Sequence, residues 1–353
     1  MPMGQCDAQI PSTGVKALKS YQNKKGRSKL TMTAGVIIKD IGDLREWAED
    51  HYLPDLLDEL EPFTTYAVPY DYDVYAGVEA IILTTMHQIL WIGQLAQMPG
   101  KFVLHIDGKH KLHHGGWLLI TVGTHAIDYH RKKLALARAV VHGITHGYRP
   151  AVYMFCKQQE TDRCIQLVLH CIQIIALKYF GIRIVPGLGC ADHGKGIMAG
   201  FKAEFPTVPL AGCWPHIAWG LTHGNVLRVT HPRWEEVKAE MAALHLAQTR
   251  GMWAVMVEAL GKVWGSRDRE LNTIWSEKLC WPCDNWFIGF TKVPGATPSQ
   301  QAQESWHNWG VMQRLSGELH ASTTYLLEVS LAKVMTLDGE IAYACNPNTC
   351  NSR

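Results

Sequence analysis

At 353 residues and 47% hydrophobic, the chain is long enough for one large domain with a real core or for two smaller ones. A formal net charge of +2 excludes a bulk electrostatic case for nucleic acid and forbids nothing, because local patches outweigh the total. The opening MPMGQCDAQIPSTG lacks the apolar segment of a secretory signal, and no stretch approaches the roughly 18 uncharged apolar residues of a membrane span, so the expectation is a soluble intracellular protein with mostly reduced thiols.

Residues 1–30 are polar and basic, with Lys16, Lys19, Lys24, Lys25, Arg27 and Lys29, and read as a flexible tail. Residues 31–99 read as a helical lead-in; the pattern is helical from about Ile41 to Leu95, with acidic segments such as DLREWAED. The informative core starts near Lys101. KFVLHID, GGWLLITVG and PAVYMFC read as three strands, with a basic helical insert, HRKKLALARAVVHG, between the second and third. A long helix follows in ETDRCIQLVLHCIQIIALKYFG, then a strand in IRIVPGL, a helix through GIMAGFKAEF and a short strand in VPLAGC.

This order, three strands and then helix, strand, helix, strand, is that of the ribonuclease-H-like fold. Its first three strands form an antiparallel meander and later strands add parallel to the first. The expected fold class is therefore α/β, a ribonuclease-H-like mixed sheet with an all-helical insertion before a last helix. The core runs over 100–222, the insertion over 223–290, the remainder of the core over 291–335 and a tail over 336–353. The last helix, QESWHNWGVMQRLSGELH, is expected to be capped at Ser299.

Three acids fall at places where such a sheet gives them chemistry. Asp107 ends the first strand, Asp192 follows the fourth, and Glu304 lies in the first two turns of the last helix. Parallel neighbouring strands lie ~4.8 Å apart, so Asp107 and Asp192 are expected to emerge at one sheet edge. Carboxylates so placed can hold two divalent cations ~3.5–4 Å apart for phosphodiester chemistry. Singly, each has an ordinary reading, as a strand-end turn residue, a helix cap or a first-turn acid.

HIDGKHKLHHGGWLLITVG, AVYMFCKQQETD, CADHGKGIMAGFKAEFPTVPLAGCWPH and QAQESWHNW together resemble the Mutator-like (MULE) DNA transposases, and more broadly the DDE transposases, over roughly residues 100–320. The resemblance implies a catalytic triad of Asp107, Asp192 and Glu304 binding two Mg²⁺ or Mn²⁺ ions, with Asp107 bridging them. It also implies a Cys-x-x-His at Cys213 and His216, DNA (transposon ends and target) as partner, a homo-oligomer, and nuclear rather than cytoplasmic localisation. The alternative is a domesticated derivative that binds DNA or protein without cutting, or an inactive fragment.

Other features keep two readings. Cys213 and His216, a helical turn apart, are either a buried thiol with a helix-start histidine or accessory groups at the active site. Cys280 and Cys283 would complete a four-ligand zinc set with them, a minor alternative at this long spacing. His105, His110, His113, His114, His125 and His130 cluster near the first two strands, as surface or satisfied core residues or as phosphate contacts. Arg131, Lys132 and Lys133 form a solvated face or contact phosphate. Trp253, Trp264, Trp275, Trp281 and Trp286 are core residues by default, with base stacking as the alternative.

Overall fold

The computed structural model describes residues 41–50, 65–69, 78, 80–97, 102–109, 116–133, 140–157, 161–223, 232–264, 268–280, 283–293, 296–308 and 322–327. The basic segment 1–30, the tail 336–353 with Cys345 and Cys350, and Cys6, His110, His113, His114 and Trp281 lie outside the described residues.

A seven-stranded mixed sheet organises the chain. Its strands are β1 (Thr65–Pro69), β2 (Ala80–Thr85), β3 (Val103–Lys109), β4 (Leu118–Lys133), β5 (Val140–Cys156), β6 (Leu188–Ala191) and β7 (Leu210–Gly212), in the spatial order β1-β2-β5-β4-β3-β6-β7. β3, β4 and β5 form an antiparallel meander, β6 adds parallel to β3, and β7 adds parallel to β6. The helices are α1 (Ile41–Asp50), α2 (Met86–Ala96), α3 (Asp162–Phe180), α4 (Lys195–Glu204), α5 (Trp214–His223), α6 (Trp234–His245), α7 (Arg250–Trp264), α8 (Arg269–Ile274), α9 (Gln301–Trp306) and α10 (Thr323–Tyr325). Helix α8 continues into a π-helical turn over Trp275–Leu279.

The alternation of β3 divides its chemistry between two faces. Leu104 and Ile106 are buried in the core formed with α3 and α4, among Ile165, Val168, Ile172, Ile197 and Phe201. His105 and Asp107 point to the opposite face. Helix α3 is delimited by local chemistry: Thr161 accepts the N–H of Cys164, and Gly181, in the left-handed region at φ 65°, ends it with its N–H on Leu177 O. A second core on the other face joins α1, Leu119, Tyr153, Phe155, Leu326 and Leu327, with Trp306 of α9 packed on it. Each of these fully buried aliphatic or aromatic side chains contributes about 1.5–3 kcal/mol through its removal from water.

Four local expectations are corrected. The lead-in is not wholly helical, since β1 and β2 extend the sheet beyond β5. AIILTT is buried at every position, and a continuous apolar run carries no period that separates strand from helix. The described ends of the basic segment between the second and third strands, 130–133 and 140–143, are strand rather than helix: β4 and β5 continue as a ribbon out to the pair Lys133 and Val140. Cross-strand pairing there overrides helical propensity, with Gly143 unfavourable to helix and Val140 and Val141 favourable to strand. The fourth strand begins later than IRIVPGL, at Leu188. Pro186 has no N–H for a ladder, and the pairing starts just past it, where the Gly187 N–H meets Phe102 O at 3.0 Å. Finally, Gln300 rather than Ser299 occupies the cap position of α9, while Ser299 Oγ accepts the N–H of Gln301 at 3.3 Å.

After β7 the described residues up to Leu279 are mainly helical, and these helices have their own core. Trp286 sits at its centre, fully buried, with Nε1 donating to Lys278 O at 2.7 Å. It stacks on Trp214 with ring centroids 5.2 Å apart and meets Trp253 edge-on at 4.8 Å. Trp253 and Trp264 are also buried, in keeping with the core reading. Among the described residues no helix is long and apolar enough to cross a membrane.

Candidate functional site

The parallel pairing of β3 and β6 runs in register from Val103 and Leu188 to Ile106 and Ala191. Asp107 and Asp192 are the next residues in line, one position past the last parallel pair. Asp107 is nearly buried, at 8% exposure, and pairs across the antiparallel ladder with Thr121 of β4. Asp192 follows β6 directly, and its Oδ1 accepts the Gly194 N–H at 2.8 Å, shaping the turn into α4. Asp192 follows its strand as expected, whereas Asp107 does not end its own: β3 runs on to Lys109, paired with Leu119 of β4.

Helix α9 is pinned onto this sheet face by two buried glutamines. Gln300 Nε2 donates to Ile106 O at 2.6 Å, to Cys190 O at 3.3 Å and to Gln303 Oε1 at 3.2 Å. Gln303 Nε2 donates to Thr121 O at 3.1 Å, Thr121 Oγ1 at 3.0 Å and the Tyr148 hydroxyl at 3.1 Å. Backbone carbonyls only accept, so both amides have their NH₂ groups toward the strands.

The carboxylate of Asp107 orients a ring one turn further along α9. A carboxylate oxygen accepts, so His307 Nδ1 donates to Asp107 Oδ2 at 3.1 Å. The neutral imidazole then presents Nε2 to the Thr121 hydroxyl, 2.8 Å away, on the same oxygen that meets the Gln303 amide. A buried relay thus runs from strand carbonyls through two amides, a hydroxyl and an imidazole to one oxygen of Asp107. A carboxylate has about four lone-pair sites, so this bond leaves Asp107 acceptor capacity toward a cation.

A second constellation lies beside the first. Cys213 extends β7, its N–H on Ala191 O at 2.7 Å, and its carbonyl accepts the N–H of Ile217 at 3.2 Å in the first turn of α5. His216 is in that same turn. Glu304, the fourth residue of α9, meets His216 with Oε1 3.1 Å from Nε2. Ligand atoms of Cys213, His216 and Glu304 all lie within 4.8 Å of one another. The Cys213 thiol is pushed up to about 12, first by burial, then by the negative charges of Glu304 and Asp107, against hydrogen bonds from the His216 and Gln300 backbones.

His193, next to Asp192, is held from behind as well. Asn285 Nδ2 donates to Leu210 O at 2.7 Å, so its Oδ1 faces the His193 ring and accepts from Nε2 at 3.0 Å. Burial lowers the His193 pKa to about 4, with the Asn285 bond opposing and Lys278 and His216 adding to the fall. A Cβ on Gly212 would overlap this ring, which explains glycine at that position. His105 stacks on His125 at 3.7 Å between centroids; burial, then His125, pushes the His105 pKa well below 6.5.

The structure thus brings Asp107 and Asp192 to one edge and gathers Cys213, His216 and Glu304. The three acids do not form a single group at ligand distance among the described residues; the set that does is Cys213, His216 and Glu304. Cys280 and Cys283 do not join it, which corrects the four-ligand zinc set. Those two close their own turn, the Cys283 N–H on Cys280 O at 2.8 Å. Asp107 and Asp192 are the oxygen donors that a hard divalent cation takes, and they stand on adjoining parallel strands. His307, Thr121, Gln300, Gln303, His193 and Asn285 were not anticipated. His307 alone had a local signal, three residues after Glu304 and so on the same helix face. Comparison of the chain with protein-family models and with curated proteins returned no match.

Proposed function

We propose that the chain is a metal-dependent phosphodiester-transferring enzyme of the DDE transposase class, built on a ribonuclease-H-like core and acting on DNA. One observation carries this reading: on adjacent parallel strands Asp107 and Asp192 each stand one position past the last pair, Ile106 with Ala191, and α9 sets its acid, Glu304, one turn from the histidine that grips Asp107. The strand order β5-β4-β3-β6-β7 supports it, being the antiparallel meander with two parallel additions that such a core requires.

Asp107, Asp192 and Glu304 would hold Mg²⁺ or Mn²⁺, with Asp107 shared. Such ions lower the pKa of an attacking water or DNA 3′-hydroxyl and offset charge on the leaving oxygen. The protein's own part is positioning. His307 holds one oxygen of Asp107, Thr121 meets the other ring nitrogen of His307, and the two glutamines hold α9 against the strands. Cys213 and His216 are accessory groups beside Glu304. DNA ends and target, a homo-oligomer and a nuclear setting belong to the same proposal.

The test is nicking of supercoiled plasmid in Mn²⁺ by the full chain, beside Asp107→Asn, Asp192→Asn and Glu304→Gln. Metal-dependent nicking lost in all three variants supports the reading. Folded wild-type protein that binds DNA without nicking it would replace this reading with that of a non-cutting derivative.

A further inference from the structure

We propose that Cys213, His216 and Glu304 form a binding site for one thiophilic divalent cation of the zinc class. Binding stands independently of the proposed function.

The geometry comes first. Zinc bonds to sulfur at about 2.3 Å and to nitrogen or oxygen at about 2.0–2.2 Å, so ligand atoms in a tetrahedral site lie roughly 3.3–3.8 Å apart. The ligand atoms of these three side chains all fall within 4.8 Å of one another, and the His216 Nε2 to Glu304 Oε1 distance is 3.1 Å. A cation entering between ring and carboxylate replaces that hydrogen bond with adjustments of a few tenths of an ångström.

Ligand chemistry comes second. A thiolate with an imidazole selects zinc-class ions over magnesium, which favours oxygen throughout. The three donors also arrive on supported backbone. Cys213 is fixed by its ladder bond to Ala191, and His216 follows it by three residues in one helical turn. The sulfur already accepts the Gln300 backbone N–H at 3.2 Å, a contact that stabilises the thiolate form required of a ligand. That single N–H belongs to the residue capping α9, so the sulfur and the helix carrying Glu304 are tied together.

The third argument concerns access. Cys213 is fully buried, whereas the His216 and Glu304 side chains are 29% and 40% exposed. An ion therefore reaches the group from the solvent side. Three protein ligands leave a fourth tetrahedral position for water or another small ligand, the pattern of reactive rather than purely structural zinc sites.

The experiment uses Co²⁺ as a spectroscopic stand-in for zinc on the full, chelator-treated chain. The expected result is one Co²⁺ per chain, with tetrahedral visible bands and a thiolate-to-cobalt charge-transfer band, both removed by added Zn²⁺. Cys213→Ser abolishes the charge-transfer band. His216→Gln keeps it but weakens binding about 10–100-fold; it replaces a part-exposed side chain and so guards against a folding defect in the cysteine variant. A charge-transfer band undiminished in Cys213→Ser assigns the sulfur elsewhere and overturns the proposal. So does the absence of cobalt bands in a wild-type chain that melts cooperatively. Neither readout involves DNA, so failure here and failure of the nuclease reading are separate results.

Discussion

His307 donates its Nδ1 proton to Asp107 across 3.1 Å, and the far side of the same ring is held by the sheet. The carboxylate accepts, so the neutral imidazole presents Nε2 to the Thr121 hydroxyl, 2.8 Å away, on an oxygen that also meets the Gln303 amide. The sheet thus backs the ring that the carboxylate orients.

Removing the threonine hydroxyl should therefore act at a distance. Thr121→Val keeps the volume and leaves His307 Nε2 without the hydroxyl that meets it. Mn²⁺ affinity and nicking are expected to fall about 10–100-fold, the range for lost outer-shell support of a ligand. Thr121→Ser retains the hydroxyl and should stay within about threefold of wild type, against the tenfold or greater loss expected for the valine variant. Titration of Mn²⁺ by electron paramagnetic resonance, with nicking rates beside it, checks both. Equal losses in Val and Ser variants would reduce the threonine to a packing role.

The glutamine pair should be visible as stability. Gln300→Leu removes the amide donor from two strand carbonyls and from Gln303 in a fully buried position. The expected cost is about 1–3 kcal/mol, read as a shift in urea midpoint. Wild-type stability in this variant would mean the carbonyls find other partners.

Acid should weaken the fold through imidazoles that burial keeps neutral. The pKa of His193 lies at about 4, and those of His105 and His245 are also lowered. As the pH falls below the ordinary 6.5, the unfolded chain binds protons that the folded chain refuses. Stability is thus complete above about pH 6.5 and falls steadily to about pH 4. For His193 alone the full loss is about 3 kcal/mol. Equilibrium unfolding at several pH values should show that slope flattened in His193→Gln.

Zinc should antagonise manganese if both draw on Glu304. Micromolar Zn²⁺ added to the Mn²⁺ nicking assay is expected to inhibit, and Cys213→Ser should need about tenfold or more zinc for the same effect. Inhibition equal in both proteins would move zinc's action to another site.

Trp286 should report the helical segment. Trp286→Ala leaves a large void among Trp214, Trp253 and Phe287 and is expected to cost about 3–5 kcal/mol in that core. Hydrogen exchange resolved by segment would localise the loss to residues 234–279, leaving β3 and β6 protected.

The sheet was readable wherever one strand face is polar and the other apolar, as in VLHID, or where a long helical period lies between strands, as in α3. β2 was not readable because AIIL is an unbroken apolar run and both threonines after it are buried as well, and the outer ribbon was not because its pairing is tertiary. Asp107 and Asp192 could be found from the sequence because their meaning follows from strand ends. The glutamines could not, since their partners lie 194, 110 and 182 residues away along the chain. The link between His216 and Glu304 likewise exists only after folding, and it brings a soft-ligand set to an acid expected to serve a hard ion.

The distance along the chain between the sheet and α9 also has a meaning in time. Both aspartates and all seven strands precede residue 213, whereas Glu304 and His307 come about ninety residues later. At roughly 5–20 residues per second, a ribosome needs on the order of 5–20 s to supply them. During that interval the chain made so far holds every strand of the sheet but neither the ring that meets Asp107 nor Trp306, Leu326 and Leu327, which cover the sheet's second face. The order of synthesis thus sets an order of contacts: those of His307 with Asp107 and of Glu304 with His216 can form only after the sheet's residues have all been made.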